Sequence, residues 1–526
     1  MPDNILNSDG GSTDQKHFYA RYGTEDYYFF LALYNNEGYE VFLQRNAVMH
    51  LEIDDNIFNP FSSATMILAN DQHVLEKTKN SYVFLGNGRD IVDIEIVPIK
   101  TGIFDTDAQN EQNKEYLGLK FQFVVIESVD IIYNNTMCKK LTLVEYAQYM
   151  LNENICNIFD LQKYGGSVGN PIETIGANSV STGDAIKAIL CAVYTKDGKV
   201  TDDIIYTDPS TKAKVFESDP ATKLFLSPHG LMSYMEVLNY VLSFHSYQKS
   251  PCILQLDRYY KTFQLISLRT LFQDNEKHCI ETFRFPSPSQ YVGSESGGGT
   301  DSPAIIWNIF PITFEESRIN EFYISSPTTK YNVHLSSSNG GILSNARSFK
   351  CMIFNTTTLN SDSFVSDFTE LFIKPFKDNF IKTGSNNKYK VVPNFYINPN
   401  KKNNYDTLKG YLAPELDESR FLNQKLSSLL YLNNVYQFKL NGKTHRKSMA
   451  FVDVVKTAEN QNGTFVASKW DRNNLGRHLI TKVKHIFTFD RYLNEVETIK
   501  PYRLLDDGEE ETSAEPNTIN NLLTKK

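Results

Sequence analysis

The sequence predicts a mainly β chain with an α+β middle, in which small antiparallel β-barrel walls stand toward both ends. Three observations predict this. Aromatic residues make up 13% of the 526 positions, with 30 Tyr and 35 Phe against 2 Trp, and Tyr and Phe favour pleated, half-buried surfaces. The last sixth of the chain reads as strands of period two, whereas between about 150 and 300 the apolar spacing turns helical.

Residues 1–17 are polar and glycine-containing and are expected to be disordered. From there to about 150 the alternation of a first barrel is visible. Met49, Leu51 and Ile53 alternate with His50, Glu52 and Asp54, and Val92, Ile94 and Ile96 alternate with Asp93 and Glu95. Phe121, Phe123, Val125, Val129 and Ile131 are expected to share one face of a long strand. Asn59-Pro60-Phe61 introduces a strand over Ala64 to Ala69, and Gly86-Asn87-Gly88 marks a turn.

In the middle, Ser181 opens a box with Asp184, ahead of Ala185 to Val193 at helical spacing. Ser227-Pro228 predicts a second helix start, serine as cap and proline in the first turn, with Leu231, Met235, Leu238, Val241 and Leu242 on one face. Cys252 to Leu256 and Thr262 to Leu268 form a hairpin about a turn at Asp257 to Lys261. Residues 286–303, rich in Ser, Gly and Pro, read as a linker, and Ile305 to Lys350 as further strands. Residues 355–411 stand apart as an insertion, with a helical piece over Phe364 to Phe380 and an Asn/Lys-rich run over Asn386 to Asn404.

Near the end a short apolar helix, Asn423 to Leu432, feeds the strands Val435 to Gly442, Met449 to Val455 and Gly476 to Phe489. In the last of these Leu479, Thr481, Val483, His485, Phe487 and Phe489 are expected on the core face. Ile480, Lys482, Lys484, Ile486 and Thr488 fall on the other. The acidic residues from Asp506 onward read as a disordered tail.

The net charge of −9, from 53 basic and 62 acidic side chains, argues against a protein whose main task is to grip phosphate backbones. An acidic wall would instead keep passing DNA from sticking. The six cysteines, at 138, 156, 191, 252, 279 and 351, are scattered without Cys-x-x-Cys spacing. Neither a zinc site nor a disulfide framework is expected, and reduced, buried thiols fit a protein assembled in a cytosol. Met1-Pro-Asp-Asn begins no basic and apolar leader, so no signal peptide is expected. No run of about eighteen apolar residues predicts a membrane span.

Chemistry-bearing patterns are few. His478 and His485 are seven residues apart on one strand, roughly 23 Å, and point to opposite faces, so they share no ion. Glu315 and Glu316 point apart as well, unlike the converging carboxyls of a glycosidase. Gly86 to Asp90 lacks the helix and the Lys-Ser/Thr of a phosphate loop. His445-Arg446-Lys447 reads either as a solvated turn between barrel strands or as a contact to an acidic neighbouring protein. No catalytic, cofactor-binding or metal-ligating residue is expected.

The order of segments resembles the central baseplate hub proteins of contractile-tailed phages, relatives of the hub half of type VI secretion spike proteins. The resemblance is carried by Leu426 to Leu432, Asn441-Gly442, Ala450 to Val454, Gly476 with Val483, His485 and Phe487, the turn Phe489 to Asn494 and the strand Glu495 to Ile499. A second point is Ser267-Leu268-Arg-Thr-Leu-Phe272 after Phe263 and Leu265. It implies two tube-like barrels, at 18–150 and at 304–354 with 412–505. A central α/β cup at 151–303 lies between them, together with the 355–411 insertion and the 506–526 tail. It also implies a non-enzymatic homotrimer in a virion tail baseplate, assembled in the host cytoplasm. Three copies would give six barrels, matching a sixfold tail tube and a threefold central spike, with DNA passing through the channel. The implied partners are the spike, the tube or its initiators, the tape measure protein and the baseplate wedges. The alternative class is a glycan-binding or glycan-degrading virion protein with exposed aromatics. A spike fusing hub and lysozyme is disfavoured, since neither a catalytic acid motif nor Gly/Val-rich needle repeats are present.

Overall fold

The computed structural model describes residues 17–22, 25–57, 59–69, 82–99, 118–156, 180–193, 217, 223–224, 232–247, 250–257, 262–276, 278–285, 316–325, 348–355, 360–367, 390–397, 435–455, 457–459, 465–467 and 475–499. The chain is mainly β. The polar N-terminus, the 286–303 linker, the helix at 423–432 and the acidic tail lie outside the described residues, apart from His17.

The first half contributes β1 (His17–Tyr22), β2 (Glu25–Asn35), β3 (Glu40–Phe42), β4 (Val48–Asn56), β5 (Asn59–Ala69), β6 (Asp90–Ile99), β7 (Leu119–Tyr133) and β8 (Thr136–Glu145). They line up as β1-β2-β6-β7-β8-β5-β4, every pair antiparallel, with β3 also on β2. Alternate residues point inward, so Phe29, Leu31, Leu51, Ile53, Met66, Ile94, Phe121, Phe123, Leu141 and Leu143 meet in one core around which the sheet curls. The alternation along β7 does not persist as expected. A bulge between Val125 and Glu127 adds a residue and reverses the faces beyond it, leaving Val129 exposed. The turn at Gly86-Asn87-Gly88 takes three successive positive φ values. Its amides at Leu85 and Gly86 donate to the Asp90 carboxylate, so the anion this turn holds is its own.

The α/β middle is built from α1 (Tyr146–Glu153), β9 (Val180–Ser181), α2 (Thr182–Val193), β10 (Lys223–Leu224), α3 (Tyr234–Phe244), β11 (Ser246–Tyr247), β12 (Ser250–Asp257), β13 (Thr262–Ser267) and α4 (Leu268–Gln273). The apolar stripes of the first three helices pack with the β12–β13 hairpin around Ile189, Leu238, Leu254 and Phe263, and Phe61 of β5 enters the same cluster. The described α3 starts later than the Ser227-Pro228 expectation, and those two residues lie outside the described set. Its cap is Ser233, whose Oγ accepts from Glu236 N while the Glu236 carboxylate accepts from Ser233 N.

The second half adds β14 (Cys279–Arg284), β15 (Glu316–Ser325), β16 (Ser348–Asn355), β17 (Asn360–Asp367), β18 (Lys390–Ile397), β19 (Val435–Asn441), β20 (Phe451–Val455), β21 (Thr457–Glu459), β22 (Phe465–Ala467), β23 (Gly476–Thr488) and β24 (Tyr492–Ile499). Six of these close on themselves in the order β23-β20-β14-β15-β19-β24, because β24 pairs back onto β23. Phe283, Phe438, Val452, Ile480, Val483 and Val496 fill this closed barrel. A bulge between Ile480 and Lys482 explains why Ile480, expected on the wet face, shares the core with Val483. Phe489, expected on the core face, is 53% exposed beyond the strand end. Within the insertion, Phe364 to Asp367 belongs to β17, paired with β16, rather than to a helix. The preceding Ser361-Asp362-Ser363 disfavours helix, and cross-strand pairing decides the conformation.

The two barrels share a plan that no sequence repeat reveals. β4, β5, β6, β7 and β8 lie in the spatial order β6-β7-β8-β5-β4, and β15, β19, β20, β23 and β24 in the order β20-β23-β24-β19-β15. Position for position these are the same order, antiparallel throughout. β2 and β14 occupy the remaining place, in opposite directions: β2 is antiparallel to β6, β14 parallel to β20. The barrels join edge to edge, residues 482–488 of β23 pairing antiparallel with 50–56 of β4.

Candidate functional site

Among the described residues, the segment between β19 and β20 carries the densest polar cluster, and it lies where the first barrel, the α/β unit and the second barrel meet. Glu281 on β14 is its centre. The Glu281 carboxylate accepts from Arg446 Nε at 2.8 Å and Nη2 at 3.1 Å, from Lys443 Nζ at 2.9 Å, and from Ser317 Oγ. His445 Nε2 lies 3.7 Å away. Arg446 is fully buried and also donates to the Asn441 carbonyl at 2.5 Å, Asn494 Oδ1 at 2.7 Å and Ser317 Oγ at 2.8 Å. The reading of His445-Arg446-Lys447 as a solvated turn or an outward contact is therefore corrected for Arg446. A planar fork that matches a buried carboxylate draws it inward, while Lys447 stays exposed. Burial alone would raise the Glu281 pKa, but Arg446 and His445 hold it well below the usual carboxylate range.

Ser448 fastens the units to one another. Its N and Oγ donate to Asp55 of β4 at 2.8 and 3.1 Å, and it receives Gln255 Nε2 of β12 on Oγ at 2.7 Å and on its carbonyl at 3.1 Å. A second buried pair, Arg477 to Asp453 at 2.8 and 2.9 Å, reaches Asn275 at 2.5 Å. Burial, with Asp453 beside it, pushes the Cys279 thiol up to about 12.

Of the residues marked by sequence, four gather around Tyr492 and Asn494. A Cβ on Gly442 would meet the Tyr492 ring at 2.1 Å, so the glycine serves close packing; its φ is not among the positive ones. Asn441 ends β19 and receives Arg446 on its carbonyl. His485 Nδ1 accepts from Tyr492 OH at 2.8 Å and Asn494 Nδ2 at 3.0 Å. Burial lowers its pKa to about 3, so the ring is neutral. Phe487 stacks on Tyr492 at 4.0 Å, and both enter the core of the first barrel beside Tyr22, Tyr27 and Phe29. Val483 stays in the second core, and Gly476 opens β23 at φ 101°. Ser267 and Leu268 lie elsewhere: Ser267 Oγ caps α4 by accepting from Thr270 N at 3.1 Å, and Leu268 is buried behind it. Sequence reasoning missed Glu281, Asp55 and Ser448. The one local signal was an acid at an otherwise half-buried strand position, between Ile280 and Phe283.

Chemically this arrangement fastens. Every oxygen of Glu281 is occupied, and His485 is enclosed. Among the described residues no cluster of three His, Cys, Asp or Glu side chains suits a metal ion, and no helix is long and apolar enough to cross a membrane. On the wet face of the shared sheet, charges alternate across the barrel junction. Lys482 pairs with Asp54 at 2.8 Å and Lys484 with Glu52 at 2.5 Å. Such half-exposed pairs give at most about 1 kcal/mol each and serve to fix register.

The fold thus defines a class of protein: two barrels of one plan, joined edge to edge and flanked by an α/β unit. No family model and no curated protein matches the sequence. Among solved structures, the chain is similar to a tail protein of Neisseria meningitidis MC58, with 8% identity over 90% of this chain and 96% of that one and a TM-score of 0.43. It is also similar to the 43 kDa tail protein of prophage MuSo2 from Shewanella oneidensis (9% identity, 90% and 98% covered, TM-score 0.40). A third similar structure is the PdpA–VgrG complex of Francisella, at 10% identity, 92% and 55% covered, TM-score 0.41. At these identities and scores no residue role passes from those proteins to this chain.

Proposed function

We propose that this chain is a structural protein of a virion tail, the trimeric central hub of a contractile baseplate. The observation that carries the reading is the pair of barrels with one strand order, held as a rigid couple by the β4–β23 seam and the Ser448 fastening. Two quasi-equivalent units per chain turn a threefold assembly into a sixfold one, which suits an adaptor between a sixfold tube and a threefold spike. The α/β unit would form the cup that meets the spike, and the tube or its initiators would stack on the barrels. The alternating charges of the wet face favour a wall along which DNA slides without gripping. In this role the chain is not an enzyme, and the saturated Glu281 network supports that reading.

The test is the mass of the purified chain by light scattering, alone and with a candidate spike protein. A trimer, or a monomer that becomes trimeric with the spike, is the expected result. A persistent monomer that binds host polysaccharide would replace the hub with the glycan-binding alternative.

A further inference from the structure

The shared plan of the two barrels makes one intrachain contact a template for a contact between chains. β23 is two strands in one. Up to Leu479 it pairs with β20 inside its own barrel; after the bulge at Ile480/Lys482 it leaves β20 and pairs with residues 50–56 of β4. β7 occupies the same place in the first barrel and has the same break. Up to Val124 it pairs with β6; the bulge lies between Val125 and Glu127; and beyond it, among the described residues, β7 is paired only with β8. Among the described residues its outer edge there has no partner strand.

The counterpart of β4 shows the complementary gap. β15 occupies that place in the second barrel. Its first residues, Glu316 to Arg318, pair with β14, which then continues alongside β20. From Ile319 to Ser325, among the described residues, β15 pairs only with β19. Among the described residues, each copy of the chain therefore has one open edge at each end of its barrel pair: the far half of β7 and the far half of β15.

The side chains agree. Ten large hydrophobic residues are exposed among those described, and five lie on these two arms: Ile126, Val129, Ile132, Tyr323 and Ile324, from 42% for Val129 to 74% for Ile132, with Met137 of β8 opposite Ile132. Ile132 occupies the place that Phe487 holds in β23, and Phe487 is buried because it enters the core of the neighbouring barrel. Long exposed edges carrying apolar side chains invite strand addition.

We propose that the far half of β7 in one copy pairs antiparallel with the far half of β15 in a second copy, repeating the β23–β4 seam. Transposing that register sets Val129 opposite Ser325, Ile131 opposite Tyr323 and Tyr133 opposite Glu321. The contact is heterologous, so copies join head to tail, and a rotation that closes makes a ring. The pairing rests on strand order, whereas closure at three copies rests on the hub reading.

The experiment is disulfide trapping in the full chain carrying Val129→Cys with Ser325→Cys. It is run beside each single variant and beside a register control, Val129→Cys with Asn320→Cys. Residues directly opposite across a strand pair stand close enough for a disulfide, with Cα atoms roughly 4.5–5.5 Å apart. Oxidation should give covalent oligomers from the first double variant alone, ending at a closed trimer, and Ile132→Lys in that background should reduce the yield at least tenfold. Oligomers closing at another number uphold the pairing and overturn the hub stoichiometry. A trimer by light scattering without the Val129–Ser325 cross-link, or with equal cross-linking in the control, overturns the pairing and leaves the hub reading standing. A chain that neither cross-links nor associates at any concentration overturns the pairing as well.

Discussion

Glu281→Gln is the sharpest probe of how the molecule is held together. The substitution keeps the side-chain shape and one acceptor oxygen but removes the charge that neutralises Arg446 and Lys443. Arg446 contacts Glu281 at 2.8 and 3.1 Å and Lys443 at 2.9 Å, and both are almost wholly buried. Breaking a buried pair from one side strands a charge and costs about 3–5 kcal/mol. That is a large share of a total stability of about 5–15 kcal/mol. For a unit of 150–250 residues each kcal/mol moves Tm by about 2–4 °C, so the transition of the second barrel should fall by roughly 6–20 °C. The assay is calorimetry of the full chain at pH 7. Adding Arg446→Met should recover part of the loss, because an apolar replacement no longer leaves a buried cation. The sign of the pH dependence follows from the same contact. The depressed Glu281 pKa gives stability that is present above the unfolded value near 4.5 and is lost as pH falls through the lower folded value. Glu281→Gln should abolish that part of the acid sensitivity. A shift in Tm of less than about 2 °C, or no recovery in the double variant, would refute the reasoning.

Three further outcomes are expected. The His485 pKa is lowered from 6.5 to about 3, so the unfolded chain binds a proton that the folded chain refuses, and stability declines as pH falls from 6.5 toward 3. The full effect is on the order of 5 kcal/mol; in His485→Gln, denaturant midpoints across that window should lose most of their slope, and an unchanged slope would place the titration elsewhere. Gly442→Ala drives a methyl group into the Tyr492 ring and should cost about 1–3 kcal/mol by overpacking, whereas a neutral result in urea unfolding would contradict the close approach. Phe487→Ala should cost about 3–5 kcal/mol although its strand belongs to the second barrel. Amide exchange should rise first in the first barrel, around β1 and β2; a rise confined to β19 and β20 would mean that the ring packs elsewhere.

Much of the candidate site was legible only in fragments. Asn441, Gly442, His485 and Phe487 were marked by the resemblance to the hub family, and they do converge on Tyr492 and Asn494. Their partners were invisible because they come from far along the chain. Glu281 and Arg446 are 165 residues apart, and Asp55 and Ser448 are 393 apart. Nothing in Lys443 to Lys447 distinguishes a solvated basic turn from one that folds over a buried carboxylate, since both are written with the same residues.

By itself the sequence determined many of the barrel strands and, between irregularities, which of their residues face inward. Leu51 with Ile53, Val92 with Ile94 and Ile96, and Phe121 with Phe123 are buried as their alternation requires. That information is local: in an extended chain successive side chains take opposite faces whatever the strand pairs with. Tertiary structure alone decided the partners. It set β14 parallel to β15 and β20 to complete the closed barrel, gave both barrels one strand order, and carried Phe487 into a core that its neighbours in sequence do not share. It also placed the bulges in β7 and β23, where one extra residue reverses the faces and turns the strand toward a new neighbour. Pairing and register are settled by contacts between residues far apart in the chain, and a pattern of period two is the same for every partner a strand might take.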